Sequence, residues 1–286
     1  MMLCVPTRSL TVGRFEVIAV QVQPQSLQAP ERLFPDADPL ALDAVRAHVP
    51  GAFGESASEL RFSQSLCVLR AGEDVTVVDA GLPPSKDHWP LVQALHHHGI
   101  KPEAVTRVFI THRDTDHIGG LADRRKRDGG ITFTNARHFI STVELEGFRN
   151  DEPRRKLFEQ VIAPLEHAGL LEVIEVPALE GLDSASEFAP GLRAVLTPGH
   201  RPGATSLLAD DALLLSADVL HAPFQVTHPE VSITFDADKA LAARTRAKVI
   251  ELAEAREWLL HVPHTPPFGI GRVVRGEDGK AYWQEV

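Results

Sequence analysis

An apolar run, residues 105–111 (VTRVFIT), passes directly into THRDTDHIGG at residues 111–120, and no other stretch restricts the fold of this chain as strongly. The run reads as a buried strand. Its end presents His112, Asp114, Asp116 and His117 within six residues. Imidazole nitrogen and carboxylate oxygen are the donors that divalent first-row metals accept. In extended backbone, residues two apart point the same way, so His112 and Asp114 can converge on one ion. Asp116 and His117 lie beyond a turn and can face a second ion. Gly119 and Gly120 permit close backbone approach or a sharp turn into a helix. The same residues also suit a polar loop in which Asp116 caps the element that follows.

Three later segments carry the same kind of chemistry. TPGHRP (residues 197–202) puts His200 in a Pro-Gly turn, LLLSAD (213–218) ends an apolar strand in Asp218, and HTPPFGIGRV (264–273) opens on His264. Each places a metal-competent side chain at the end of an expected strand, where α/β architectures gather their sites.

The rest of the chain alternates in a way that suits two facing mixed sheets with helices packed outside them. Strands are expected at 14–23, 63–71, 74–81, 105–111, 131–133, 171–176, 192–197, 205–208, 212–216 and 258–262, with KAYWQEV closing the chain. Helices are expected at 39–48, 89–98, from 119 to about 126, 154–168 and 237–252, several of them stopped by glycine. Residues 24–59, with five prolines, read as an irregular excursion over a pocket or a partner subunit. No linker stands out, so residues 1–286 are expected to form one domain.

Several function classes lose ground on composition. Lys plus Arg total 29 against 39 Asp plus Glu, a net charge of −10, which disfavours nucleic acid as a partner. The run Arg124–Arg127 (RRKR) is one short basic patch and reads as solvated surface. No apolar run of about 18 residues predicts a membrane span, and charges break up the N-terminal segment, so a cytoplasmic location is the expectation. Cys4 and Cys67 cannot build a disulfide framework and read as inert.

Taken in order, these motifs resemble the metallo-β-lactamase superfamily, whose signature is an H-x-H-x-D-H run followed by a separate His, Asp and His. His112, Asp116 and His117 match the run, and His200, Asp218 and His264 match the later elements. VVDAG, residues 77–81, is similar to the family's early strand with its Asp-Gly turn. Residues 217–236, the helix with Ala243 and Arg244, and HTPPFGIGRV resemble the branch of methyl parathion hydrolase and related lactonases, with Pro267-Phe268 reversing the usual order. The resemblance implies an αββα sandwich, a two-metal centre, hydrolysis of a small-molecule ester, lactone or phosphotriester, and a homodimer.

It also implies a division of labour. His112, Asp114 and His200 would hold one ion, Asp116, His117 and His264 the other, and Asp218 would bridge them. The ions, zinc first and iron or manganese as alternatives, would sit roughly 3.5–4 Å apart and share the attacking hydroxide. Asp116 would carry a proton to the leaving group, and His221 would bind substrate or steady a ligand. Asp114 departs from the family, which has histidine there. A third carboxylate would make bound water less acidic and tilt metal preference from zinc. It resembles flavodiiron proteins and diiron oxygenases, so a diiron oxidoreductase is the alternative, with a non-catalytic binding protein as a third reading. His261 rivals His264, and His96–His98 suit a helix C-terminus better than a metal. His138, His167 and His228 read as structural or exposed, and Phe224 as a core or pocket residue.

Overall fold

The computed structural model describes residues 5–85, 88–123, 130–185 and 187–286. The first sheet has seven strands in chain order: β1 (Thr7–Val12), β2 (Phe15–Gln28), β3 (Leu60–Ala71), β4 (Asp74–Val78), β5 (Arg107–Phe109), β6 (Arg137–Ser141) and β7 (Leu171–Ile174). Pairing is antiparallel from β1 to β4 and parallel from β4 to β7. The second sheet also has seven: β8 (Glu187–Ala189), β9 (Leu192–Leu196), β10 (Thr205–Ala209), β11 (Leu213–Leu215), β12 (Leu259–His261), β13 (Ile270–Arg275) and β14 (Ala281–Glu285). Only β11 and β12 pair in parallel there.

Strand alternation sorts the side chains into three apolar layers. In β2, Val17 and Ala19 face the second sheet while Ile18, Val20 and Val22 face the outer helices. Likewise Leu213 and Leu215 of β11 point inward, and Leu214 points to the opposite face. Helices Pro90–His97, Thr142–Arg149, Arg155–Val161 and Ala163–His167 cover the first sheet, and Lys239–Ala255 covers the second. This is the expected αββα sandwich of mixed sheets.

Four local expectations differ. Residues 131–133 hold no strand, only an isolated bridge from Ile131 to Ala122, and the parallel strand is β6 instead. The helix expected over 154–168 breaks at Ile162, because Pro164 cannot donate a backbone hydrogen bond. Residues 24–28 extend β2, and Phe34, Leu42, Val45, Val49 and Phe53 bury against the second sheet, so the excursion is mostly packed structure. The helix expected from 119 is a single 3-10 turn, Gly119–Leu121, and its continuation with Arg124–Arg127 lies outside the described residues. Cys67 is buried between the sheets and Cys4 lies outside the described residues. Among the described residues no helix is long and apolar enough to cross a membrane.

Two close approaches fix the loops at the strand ends. Gly120 donates to Gly81 O at 2.8 Å, and a Cβ on it would lie 2.1 Å from Ala80 O. This contact ties the 111–120 loop to the turn after β4. Gly199 lies against Ala242 of the long helix, where a Cβ would meet backbone at 2.3 Å. Gly120→Ala is therefore expected to lower stability by about 1–3 kcal/mol in urea unfolding, since the obstructing atom is backbone. An unchanged midpoint would contradict the close approach.

Candidate metal centre

The donor-bearing side chains come from strand ends on one edge of the sandwich. His112 to His117 follow β5, His200 sits in the β9–β10 turn, Asp218 follows β11, and His264 follows β12. Two of the non-glycine residues with left-handed backbone also lie at this edge. Asp79 and Ala217 adopt left-handed φ of 60° and 49°, each costing about 1–2 kcal/mol for a residue with a Cβ.

These elements converge on Asp218. Its Oδ2 lies 3.2 Å from His221 Nε2, 3.4 Å from His264 Nε2, 3.5 Å from His200 Nε2 and 3.7 Å from His112 Nε2. Its Oδ1 lies 3.2 Å from His117 Nε2. Asp116 Oδ2 is 3.7 Å from both His117 Nε2 and His264 Nε2. Asp114 Oδ2 is 3.1 Å from His200 Nε2 and 3.8 Å from His112 Nε2. Such separations are those of donors sharing an ion at about 2.0–2.2 Å. Within this set His112, Asp114 and His200 form one group able to hold an ion, and Asp116, His117 and His264 another.

Each of four imidazoles is oriented by a partner on its far nitrogen. His117 Nδ1 donates to Asp79 Oδ2 at 2.7 Å, His200 Nδ1 to Asp236 Oδ1 at 3.0 Å, and His264 Nδ1 to the Ser63 carbonyl at 3.1 Å. His112 Nδ1 bonds the Thr111 hydroxyl at 3.0 Å, and that hydroxyl donates onward to Asp79 Oδ2 at 2.7 Å. Carboxylates and a carbonyl only accept, so Nδ1 carries a proton and each Nε2 faces inward, where its lone pair would be free to bind an ion. His112 Nε2, His117 Nε2 and Asp218 Oδ1 are buried with no hydrogen-bond partner. Buried polar atoms left unpaired are costly, and a bound cation would satisfy all three. The donor set therefore fits the metal centre that the motifs imply.

The charges tell the same story. Burial disfavours charge on His117, yet Asp218, Asp116 and Asp79 together hold its pKa well above the ordinary value. Burial likewise opposes charge on His200, but Asp114 and Asp236 raise it to about 9. Burial alone would raise Asp218, and His117, His264 and His221 instead hold it well below the carboxylate range. The cluster demands positive charge at its centre.

Several expectations meet the structure here. His264 Nε2 faces the cluster, whereas His261 Nε2 lies behind it on the Ser65 hydroxyl at 3.0 Å. His221 is buried against Asp218 and stacks parallel on His264 at 5.3 Å. Phe224 is fully buried, edge-on to Phe34, and is core. His98 bonds Thr7 at the end of its helix, and the groups able to hold an ion among the described residues include none of His96–His98. His138 is buried and unpartnered, pushed down to about 4 by desolvation. Asp114 is the third carboxylate at the site, and its charge is paired. Arg201 grips its carboxylate through two bonds, at 2.8 and 2.6 Å. Sequence reasoning missed Asp236, Arg201 and the orienting role of Asp79. It named Arg244, whereas Arg246 is the buried arginine that holds Asp236 Oδ2 at 3.1 Å.

Above the cluster opens a cavity of about 330 Å³, walled by Phe62, Arg154, Ile233 and Phe235 and floored by Asp114, Asp116, His200, Asp218 and His264. Phe62 stacks on His264 at 4.8 Å.

Comparison with known proteins agrees with this geometry. The model of the metallo-beta-lactamase superfamily matches residues 60–264, which span every donor from His112 to His264. The chain belongs to the metallo-beta-lactamase superfamily. An N-acyl homoserine lactonase of Bacillus cereus is 25% identical over 177 residues, covering 60% of this chain and 62% of that relative. The crystal structure of the hydrolase AbOPH superposes with a TM-score of 0.80 at 18% identity, over 99% of this chain and 98% of that one. AidC, a dizinc quorum-quenching lactonase, superposes at 0.78, also 18% identical and covering 99% and 98%. At that identity the structural likeness establishes the fold.

The orienting carboxylates yield a prediction. Asp79→Asn and Asp236→Asn are each expected to weaken zinc binding about 10–100-fold, measured by chelator competition on stripped protein. Unchanged affinity in both would contradict the orienting role.

Proposed function

We propose that this protein is a metal-dependent hydrolase that opens an ester or lactone bond in a small molecule, using two divalent ions, zinc first. The observation that carries this reading is the Asp218 carboxylate set among five imidazole nitrogens at 3.2–3.7 Å on the floor of a cavity. His112, Asp114 and His200 would hold one ion, Asp116, His117 and His264 the other, with Asp218 between them. When bound, the ions would supply an activated water and a Lewis acid for the scissile carbonyl or phosphoryl oxygen.

The chain's own residues do the rest. The Asp116 side chain is 31% exposed, reaches the cavity and is held by Gln64 Nε2, which donates to its Oδ2 at 3.1 Å. It is placed to take a proton and hand it to the leaving oxygen. Burial pushes His221 down to about 4, and its Nε2 donates to Asp218 Oδ2 at 3.2 Å, so the ring is placed to steady that ligand. Phe62, Ile233 and Phe235 offer apolar wall for a substituent such as an acyl chain. The lactonase relatives support lactones as the first substrates to try, with phosphotriesters as the alternative. The diiron reading drew on the carboxylate at Asp114 in place of a histidine, and the lactonase relatives favour the hydrolase over it.

The test is a panel of N-acyl homoserine lactones, simple lactones, aryl esters and aryl phosphotriesters, run with zinc-loaded and chelated protein. Turnover is expected only in the loaded form, and Asp218→Ala is expected to lower kcat/KM at least about 100-fold on the best substrate. Turnover that survives chelation, or that Asp218→Ala leaves intact, would sink the proposal.

A further inference from the structure

Asp114 occupies the position where the motif has a histidine, and its surroundings are specific. Arg201 Nε donates to its Oδ1 at 2.8 Å and Nη2 to its Oδ2 at 2.6 Å, a bidentate fork. The remaining nitrogen, Nη1, donates to the carbonyls of His200 and Phe235, each at 2.8 Å. The fork is thus anchored to the turn that carries His200. Arg154 Nη2 approaches Asp114 Oδ1 at 3.3 Å, but its Nη1 is held by Asp151 at 3.0 Å. Asp151 also pairs with Arg113, which pairs with the buried Glu144, each at 3.0 Å. Acidic and basic side chains alternate along this chain of six.

The fork leaves Asp114 Oδ2 aimed inward, 3.1 Å from His200 Nε2. A histidine ligand is neutral, a lone carboxylate adds a negative charge, and a carboxylate paired with guanidinium adds none. The Asp114 and Arg201 side chains are only 14% and 11% exposed, so solvent screens this pair weakly. We propose that Asp114 and Arg201 act as one unit, an oxygen donor with the net charge of a histidine, and that Arg201 is a positioning residue for the ion nearest His200. The inference rests on the two-ion reading of the site. It accounts for a carboxylate at this position without a shift in the overall charge of the centre. It further implies that Arg201 without Asp114 is worse than neither, because an unopposed guanidinium would face a dication.

Zinc affinity and stoichiometry of chelator-stripped protein test this, read by competition with a chromophoric chelator and by elemental analysis. Asp114→Asn is expected to lower the affinity for one of two ions by about 100-fold. Adding Arg201→Gln is expected to restore at least about tenfold of that loss, a larger gain than Arg201→Gln gives in the wild-type background. Arg154→Gln, which removes a more exposed cation also held by Asp151, is expected to change affinity less than about threefold. A double variant no better than Asp114→Asn, or an Arg154→Gln effect as large as that of Arg201→Gln, overturns the proposal. Should Asp114→Asn fail to fold, Asp114→His carries the same comparison, and it must bind at least about tenfold more tightly once Arg201→Gln is added. Wild-type protein that takes up no zinc would overturn both this inference and the two-ion reading. Two ions with additive variants would overturn this inference alone.

Discussion

The Asp218 side chain is 5% exposed and has four imidazole nitrogens within 3.7 Å of its Oδ2, and the surrounding loops are arranged around that single charge. An ionised carboxylate in such a place is tolerable only if positive charge surrounds it. The two sheets make this possible by ending several strands at one edge, so that side chains far apart in sequence meet there. The bonds behind the imidazoles then remove their freedom. Asp79, Asp236 and the Ser63 carbonyl accept from the far nitrogens, and those acceptors are themselves held: Thr111 donates to Asp79, and Arg246 donates to Asp236. Left-handed backbone at Asp79 and Ala217 is the strain this arrangement carries.

Much of the site was legible because its signals are local. His112, Asp116 and His117 share one turn, and His200, Asp218 and His264 each follow an apolar strand, so residue type and strand end coincide in the sequence. The choice of His264 over His261 came from spacing to Gly269 and Gly271, and the geometry agrees, since His261 closes β12 behind the cluster. Pairings across the chain left no such trace. Arg201 and Asp114 are 87 residues apart, and nothing near Asp114 signals that its charge is compensated. Asp236 lies 36 residues from His200 and reads as loop until the long helix brings Arg246 beneath it.

The fold shows the same division. Buried strands such as β4, β5 and β10 were visible as apolar runs, and the long helix expected at 237–252 is present at Lys239–Ala255, capped by Asp238 through Leu241 N. β6 was missed because Arg137 and His138 disguise it, although its parallel pairing with β5 and β7 buries Ile140 and Ser141. β1 and β13 were missed because their polar and glycine residues dilute the alternation, and tertiary pairing decided them. Prolines misled in residues 24–59, where they suggested irregularity. The apolar residues between them, Phe34, Leu42 and Phe53, pin the segment to the second sheet.

On the proposed function, two ions would share the charge-demanding centre built around one carboxylate. Anomalous diffraction at the zinc edge from crystals of the zinc-loaded protein tests that most directly. Two peaks per chain are predicted, on either side of Asp218 and about 3.5–4 Å apart. The absence of any peak at Asp218 would contradict it, as would zinc bound only elsewhere on the molecule.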